Sequence, residues 1–144
     1  MKVEIFNICD FASADAGGKL NLIGVFNAIA AREKPIIYGL CALAIRMRFE
    51  KVEEGIKRIK VAFVDADGKP IMPTIETQFQ VQFQPMASTA NAQIVSIMQQ
   101  LRFPNFGEYS IDLAIDGRQE ASTPFYVHQA PSLPPHLQTP LPLA

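Results

Sequence analysis

The sequence predicts an all-β protein, an antiparallel β-sandwich of about seven to nine strands, and three observations carry that prediction. First, apolar residues alternate with polar or small ones. Cys41, Leu43, Ile45, Met47 and Phe49 fall on one side of an extended segment, with Ala42, Ala44, Arg46 and Arg48 on the other, which is the period of two that a half-buried strand requires. Second, such segments are separated by clusters of Asp and Gly at Asp15-Ala16-Gly17-Gly18, Asp65-Ala66-Asp67-Gly68 and Asp116-Gly117. These residue types tolerate the positive φ of tight reversals. Third, no segment carries a secure helical period. Strands that are apolar on one side keep that side dry by meeting a second sheet.

In chain order, the first strand is expected from Val3 to Phe11, with Val3, Ile5, Cys9 and Phe11 against Lys2, Glu4 and Asp10. Phe6 and Ile8 break the alternation, so this strand is expected to be covered on both sides. The turn at Ala14–Gly18 leads into a second strand, Lys19 to Phe26, with Leu20, Leu22 and Phe26 aligned. Gly24 in its middle marks a bulge or a close approach of another backbone. A loop through Arg32 to Pro35 precedes the strand Tyr38 to Glu50. Glu53-Glu54-Gly55 can turn the chain into Lys57 to Val64, where Ile59, Val61 and Phe63 face inward. Ile75 to Phe83 sets Ile75, Thr77, Phe79, Val81 and Phe83 against Glu76, Gln78, Gln80 and Gln82. Ala90 to Phe103 is ambiguous. Ile94, Ile97, Met98 and Leu101 match a helical spacing, whereas Val95, Ile97, Leu101 and Phe103 match a strand; β-branched residues and the run into Phe103-Pro104 favour the strand. The closing hairpin has Tyr109, Ile111, Leu113 and Ile115 on one face, reverses at Asp116-Gly117 and returns from Gln119 to Val127. Pro124 has no amide to donate, so an edge or irregularity is expected there.

A chain of 144 residues fits one domain, placed at 1–129, followed by a Pro/Leu-rich tail at 130–144 of polyproline character. With 49% hydrophobic residues and a net charge of −1, the composition excludes a disordered protein. It also lacks the excess of Lys and Arg that bulk nucleic-acid binding needs. Glu4 and Asp10 interrupt any secretory apolar run. The most apolar stretch, Ile36 to Ile45, is far shorter than the roughly 20 residues that span a bilayer. A soluble, cytoplasmic protein without a membrane partner is expected, with Cys9 and Cys41 as reduced, buried thiols rather than a disulfide.

Two segments carry a resemblance. Gly18-Lys19-Leu20-Asn21-Leu22-Ile23-Gly24-Val25-Phe26, and Phe103-Pro104-Asn105-Phe106-Gly107-Glu108-Tyr109 leading to Asp116-Gly117 and Pro124-Phe125-Tyr126-Val127, resemble a family of small bacterial β-sandwich proteins catalogued as a domain of unknown function. The resemblance spans Met1 to about His128. The second segment is also similar to the closing hairpin of bacterial immunoglobulin-like domains. The resemblance implies a β-sandwich, with no activity or site residues to transfer; the expected fold is that sandwich in an immunoglobulin-like or jelly-roll-like form.

Motifs for catalysis or metal binding are weak. There is no Gly-x-Ser-x-Gly elbow, and neither cysteine has a histidine nearby in sequence, so no enzyme, cofactor or metal is expected. Gly17-Gly18-Lys19 lacks the Walker spacing and precedes a strand, which makes it a hairpin turn rather than a phosphate loop. Asp65-Ala66-Asp67-Gly68 opens like a calcium loop but lacks the later ligands. Two surface features remain. If Tyr38 to Glu50 pairs with Lys57 to Val64, then Arg46, Arg48, Arg58 and Lys60 share an outer face that could hold an anion or an acidic partner; the bland alternative is a solvated face offset by Glu50, Glu53 and Glu54. Gln78, Gln80, Gln82 and Gln84 form an uncharged polar row that suits an interface or a sugar, or simply keeps a strand soluble. In the tail, Leu133, Leu137, Leu141 and Leu143 among prolines could dock in a groove of a partner or a neighbouring subunit, or remain a loose end.

The function expected from these features is a non-catalytic cytoplasmic binding or assembly module that self-associates or binds another protein. A ligand-binding domain for an anionic or carbohydrate molecule is the alternative. A hydrolase comes third and would need a cleft joining Asp or Glu to His128.

Overall fold

Alternation along the chain becomes two stacked sheets in the computed structural model, which describes residues 1–131. The strands are β1 (Lys2–Ala14), β2 (Leu20–Phe26), β3 (Ala28–Ala31), β4 (Ile36–Glu50), β5 (Gly55–Val64), β6 (Ile75–Val81), β7 (Thr89–Phe103), β8 (Gly107–Ile115) and β9 (Arg118–Gln129). One sheet has the order β2-β1-β4-β7 and the other β3-β9-β8-β5-β6. The expected all-β sandwich is therefore present, and the ambiguous segment 90–103 is a strand. All pairs are antiparallel except β3 with β9, which run parallel. β3 falls between the expected second strand and the expected loop, in residues to which no element was assigned; four residues of Ala and Ile are too short to show a period.

The core lies where the two inner faces meet. Leu43, Ile45, Met47 and Phe49 of β4 pack against Ile59, Val61 and Phe63 of β5, Ile111 and Leu113 of β8, and Phe125 and Val127 of β9. Each is at most 2% exposed. Phe103 stacks on Phe125 at 5.4 Å and meets Tyr109 edge-on at 5.2 Å, while Phe49 and Phe79 meet at 5.8 Å. The Tyr109 hydroxyl donates to the Asn105 carbonyl at 2.6 Å and accepts from the Asn105 amide at 3.1 Å. That hydroxyl latches the β7–β8 connection onto the core without leaving a buried polar group unpaired.

The pairing assumed between Tyr38–Glu50 and Lys57–Val64 does not form. β4 pairs with β1 and β7, and β5 with β6 and β8. A 3-10 turn at Lys51–Glu53 separates them and carries the chain from one sheet to the other, so that the apolar sides of β4 and β5 face each other across the core. Asp116 at φ 52° and Gly117 at φ 80° form the expected hairpin reversal. The turns after Asp15 and Asp65 share one device: the carboxylate Oδ1 accepts from the backbone amide four residues on, Lys19 and Lys69 respectively, each at 2.9 Å.

Two strand pairs change which side faces in. Gly39 lies opposite Gln100, which adopts φ 55°. Before this point Ile36, Leu101 and Phe103 are the buried residues; beyond it Cys41, Leu43 and Met98 are. The inward positions of β7 therefore run Ile94, Met98, Leu101, Phe103. A phase slip in a strand thus reproduces the three- and four-residue spacing that looks helical.

The second switch lies at Asp10 and Gly24, opposite each other in β1 and β2. β1 pairs with β4 from Lys2 to Cys9 only. Past the switch, Ala12, Leu20 and Leu22 pack onto Cys9, Ala42, Ala44 and Val95, which are on the outer side of the first sheet. The Gln93 side-chain amide of β7 donates to the Gly18 carbonyl at the hairpin tip. The distal half of the β1–β2 hairpin thus folds across its own sheet as a lid, and small residues at positions 42 and 44 make room for it. This covers β1 on both sides, as expected, but it corrects two details. Phe11 is 53% exposed on the lid's outer surface, and Leu20 and Leu22 serve the lid while Phe26 serves the main core.

Candidate functional site

The four basic residues expected to cluster lie on opposite faces of the sandwich. Arg46 and Arg48 are on the outer side of β4, and both reach Glu4 of β1: Arg46 Nε to Glu4 Oε1 and Arg48 Nη1 to Glu4 Oε2, each at 3.3 Å. The bulge between Val3 and Ile5 sets Glu4 between them. Arg58 and Lys60 are on the outer side of β5, in the other sheet. Lys60 pairs loosely with Glu76 at 3.9 Å. The separation follows from the sheet order, because β4 and β5 are not neighbours. No property of Arg46 or Arg58 alone reveals it.

The second sheet brings together residues that the sequence had kept apart. Arg58 is directly opposite Gln78, and Lys60 opposite Glu76. With Thr77, Ala114 and Gly117 they line a shallow depression of about 460 Å³ on the outer face. Asp116 anchors one rim, accepting from the Arg58 amide at 2.9 Å and donating its own amide to the Arg58 carbonyl at 2.9 Å. Gln80 lies further along β6, opposite Ile56. Gln82 falls beyond the end of β6 at Val81 and is exposed, so the glutamine row is shorter than expected. Leu133, Leu137 and Leu141 lie outside the described residues.

A feature absent from the sequence reading is the edge of the first sheet. β7 spans 15 residues, Thr89–Phe103, and pairs with β4 along its whole length, Glu50 with Thr89 at one end and Ile36 with Phe103 at the other. It is the last strand of its sheet. Among the described residues, no strand pairs with its other side. At about 3.3 Å per residue, this edge is roughly 50 Å of backbone donors and acceptors, half of which point outward. Its one charged residue is Arg102. Beside the edge runs an open groove of about 460 Å³ between β7 and the β5–β6 connection, with Ile71, Met72 and Pro73 on its wall. The other sheet edges are shorter: β2 and β6 have seven residues each, and β3 has four.

The two thiols are free and buried. Burial pushes the Cys41 thiol up to about 11, with Cys9 and Asp10 adding to the effect. Burial raises Cys9 as well, and its Sγ lies 3.7 Å from the Ala42 carbonyl, to which it donates. Such thiols carry little thiolate at neutral pH and are poor nucleophiles. His128 stacks on Tyr126, ring centres 6.0 Å apart.

The family described as "Family of unknown function (DUF6941)" matches residues 4–128. The chain belongs to that family. The DUF6941 match runs from within β1 to within β9, so it takes in both sheets and leaves out the segment rich in Pro and Leu. No curated protein matches this DUF6941 chain. Among solved structures it is similar to the Pseudomonas fluorescens alkylpurine DNA glycosylase AlkC bound to DNA containing an abasic site analog, with 10% identity and a TM-score of 0.45. That similarity covers 88% of this chain and 30% of the glycosylase chain.

Proposed function

We propose that this chain is a non-catalytic, cytoplasmic protein-interaction module that assembles by accepting an additional strand at the open edge β7. The observation that carries this is the edge itself: 15 residues paired on one side, with a single charge. Sheet edges that must stay unpaired are shortened, or guarded by Lys, Pro or strong bulges. β7 has no Lys and no Pro, and its one irregularity, Gln100, falls near its C-terminal end. Strand addition takes its affinity from main-chain hydrogen bonds and its specificity from alternate side chains. The buried, poorly ionised cysteines support the non-catalytic part of the proposal, and their free state suits a reducing compartment.

Hydrogen exchange on dilute protein tests it, with a synthetic peptide spanning Thr89–Phe103 as the added strand. Exchange along β7 is expected to slow with peptide while β8 is unchanged. A β7 that exchanges at the same rate at millimolar peptide contradicts the proposal.

The depression formed by Arg58, Lys60 and Gln78 favours a second activity, binding of an anionic or carbohydrate ligand on the opposite sheet. A ligand present at a hundred times its dissociation constant adds about 2.7 kcal/mol to stability. A thermal-shift screen with sugar phosphates is expected to give a shift that Arg58→Ala removes; no shift with any of them contradicts ligand binding.

A further inference from the structure

We infer that the strand received by β7 is the β7 of a second copy of this chain, joined antiparallel about a two-fold axis through Ser96. This rests on the edge-strand function proposed above and names the partner. The sequence of the edge reads nearly the same in both directions around one residue: Gln93-Ile94-Val95-Ser96-Ile97-Met98-Gln99. An antiparallel pair centred on Ser96 sets Val95 against Ile97, Ile94 against Met98, and Gln93 against Gln99, each occurring twice by symmetry. Ser96 is also the midpoint of Thr89–Phe103, so this register lays the two edges side by side along their length, with regular face-matched pairs from Gln93 to Gln99, up to the slip at Gln100.

The faces agree as well. Val95 and Ile97 belong to the outer side of the sheet, opposite Ala44 and Ala42 of β4, whereas Ile94 and Met98 belong to the core side. Directly paired residues in an antiparallel ladder share a face and interact, so apolar meets apolar on both sides. Ile97, 55% exposed in the single chain, would be covered by Val95 of the second copy. Gln99 of the second copy would stand across from Gln93, whose Oε1 is buried with no hydrogen-bond partner among the described residues. The charge pattern permits the match, because Arg102 lies outside the paired run Gln93–Gln99 and the two arginines sit at opposite ends of it. The outcome is an isologous interface, a continuous sheet with four strands from each copy.

Sedimentation equilibrium on the full chain and its Ile97→Lys variant, with circular dichroism to confirm the variant's fold, tests the inference together with oxidation of a Ser96→Cys variant. The expected results are a dimer for the native chain, a monomer for Ile97→Lys, and a disulfide-linked dimer for Ser96→Cys, since directly opposed Cβ atoms about 4.5–5.5 Å apart lie near disulfide reach. Ser122→Cys, on the outer face of the other sheet, is expected to stay unlinked. A native chain that is monomeric at millimolar concentration overturns the inference. A dimer that survives Ile97→Lys without linking through Ser96→Cys also overturns it. If β7 still responds to the Thr89–Phe103 peptide in either case, strand addition stands with a different partner; if it does not, both proposals fall.

Discussion

Gly24 holds the bend that turns the β1–β2 hairpin into a lid, at φ 72° and directly opposite Asp10. A Cβ there would stand 2.4 Å from Asp10 Oδ2 and 2.9 Å from its Cγ, so Gly24→Ala adds a clash to an unfavourable backbone. The left-handed region alone costs an L-residue about 1–2 kcal/mol. The variant is expected to lose at least about 1 kcal/mol by urea denaturation; an unchanged midpoint would mean the bend does not need glycine. Glu53 offers a pH test. Its carboxylate accepts from the Met1 ammonium at 2.7 Å and from the Glu50 amide at 2.8 Å, and these bonds hold it below its ordinary value of 4.5. A carboxylate whose pKa falls on folding stabilises the fold fully above its unfolded value, and loses that contribution as pH drops through the folded one. Glu53→Gln is therefore expected to be less stable than the native chain at pH 7, with the difference shrinking in acid. A difference that grows in acid would reverse the sign. At this scale the special glycine was legible in the sequence, because a Gly inside an alternating strand has few other uses. The role of Glu4 was not, since its partners Arg46 and Arg48 are more than forty residues away.

Strand identity was legible wherever alternation ran unbroken, as in Cys41 to Phe49, and became obscure where it slipped. β7 mimics a helix because Gln100, at φ 55° opposite Gly39, shifts the inward side from Met98 to Leu101. A β-branched residue is poorly accommodated there. Gln100→Val is expected to cost about 1–2 kcal/mol, whereas Gln100→Gly is expected to stay within about 0.5 kcal/mol of the native chain. Chemical denaturation of both variants checks this, and equal losses would mean that the φ at position 100 is not what holds the slip. The misassigned pairing of β4 with β5 has a related origin. The residues between them, Lys51 to Glu54, have the length and polarity of a hairpin turn, but form a 3-10 turn capped reciprocally by Glu50 and Glu53. That turn leads from one sheet to the other, and sequence polarity does not distinguish the two outcomes.

For the molecule as a whole, the fold class follows from local pattern while the candidate sites follow from strand order. Two sheets, an apolar interior and the closing hairpin can be read residue by residue. That Arg46 and Arg58 occupy opposite faces, that Gln78 neighbours Arg58, and that β7 ends its sheet all depend on pairings between distant segments. The near-symmetric run Gln93 to Gln99 acquires meaning only once that segment is an edge. The most direct measurement is hydrogen exchange of the native chain over a series of protein concentrations. Protection along β7 is predicted to rise with concentration while that of β4 and β8 stays constant. Protection of β7 that is independent of concentration, from the dilute limit to millimolar protein, would contradict assembly through this edge.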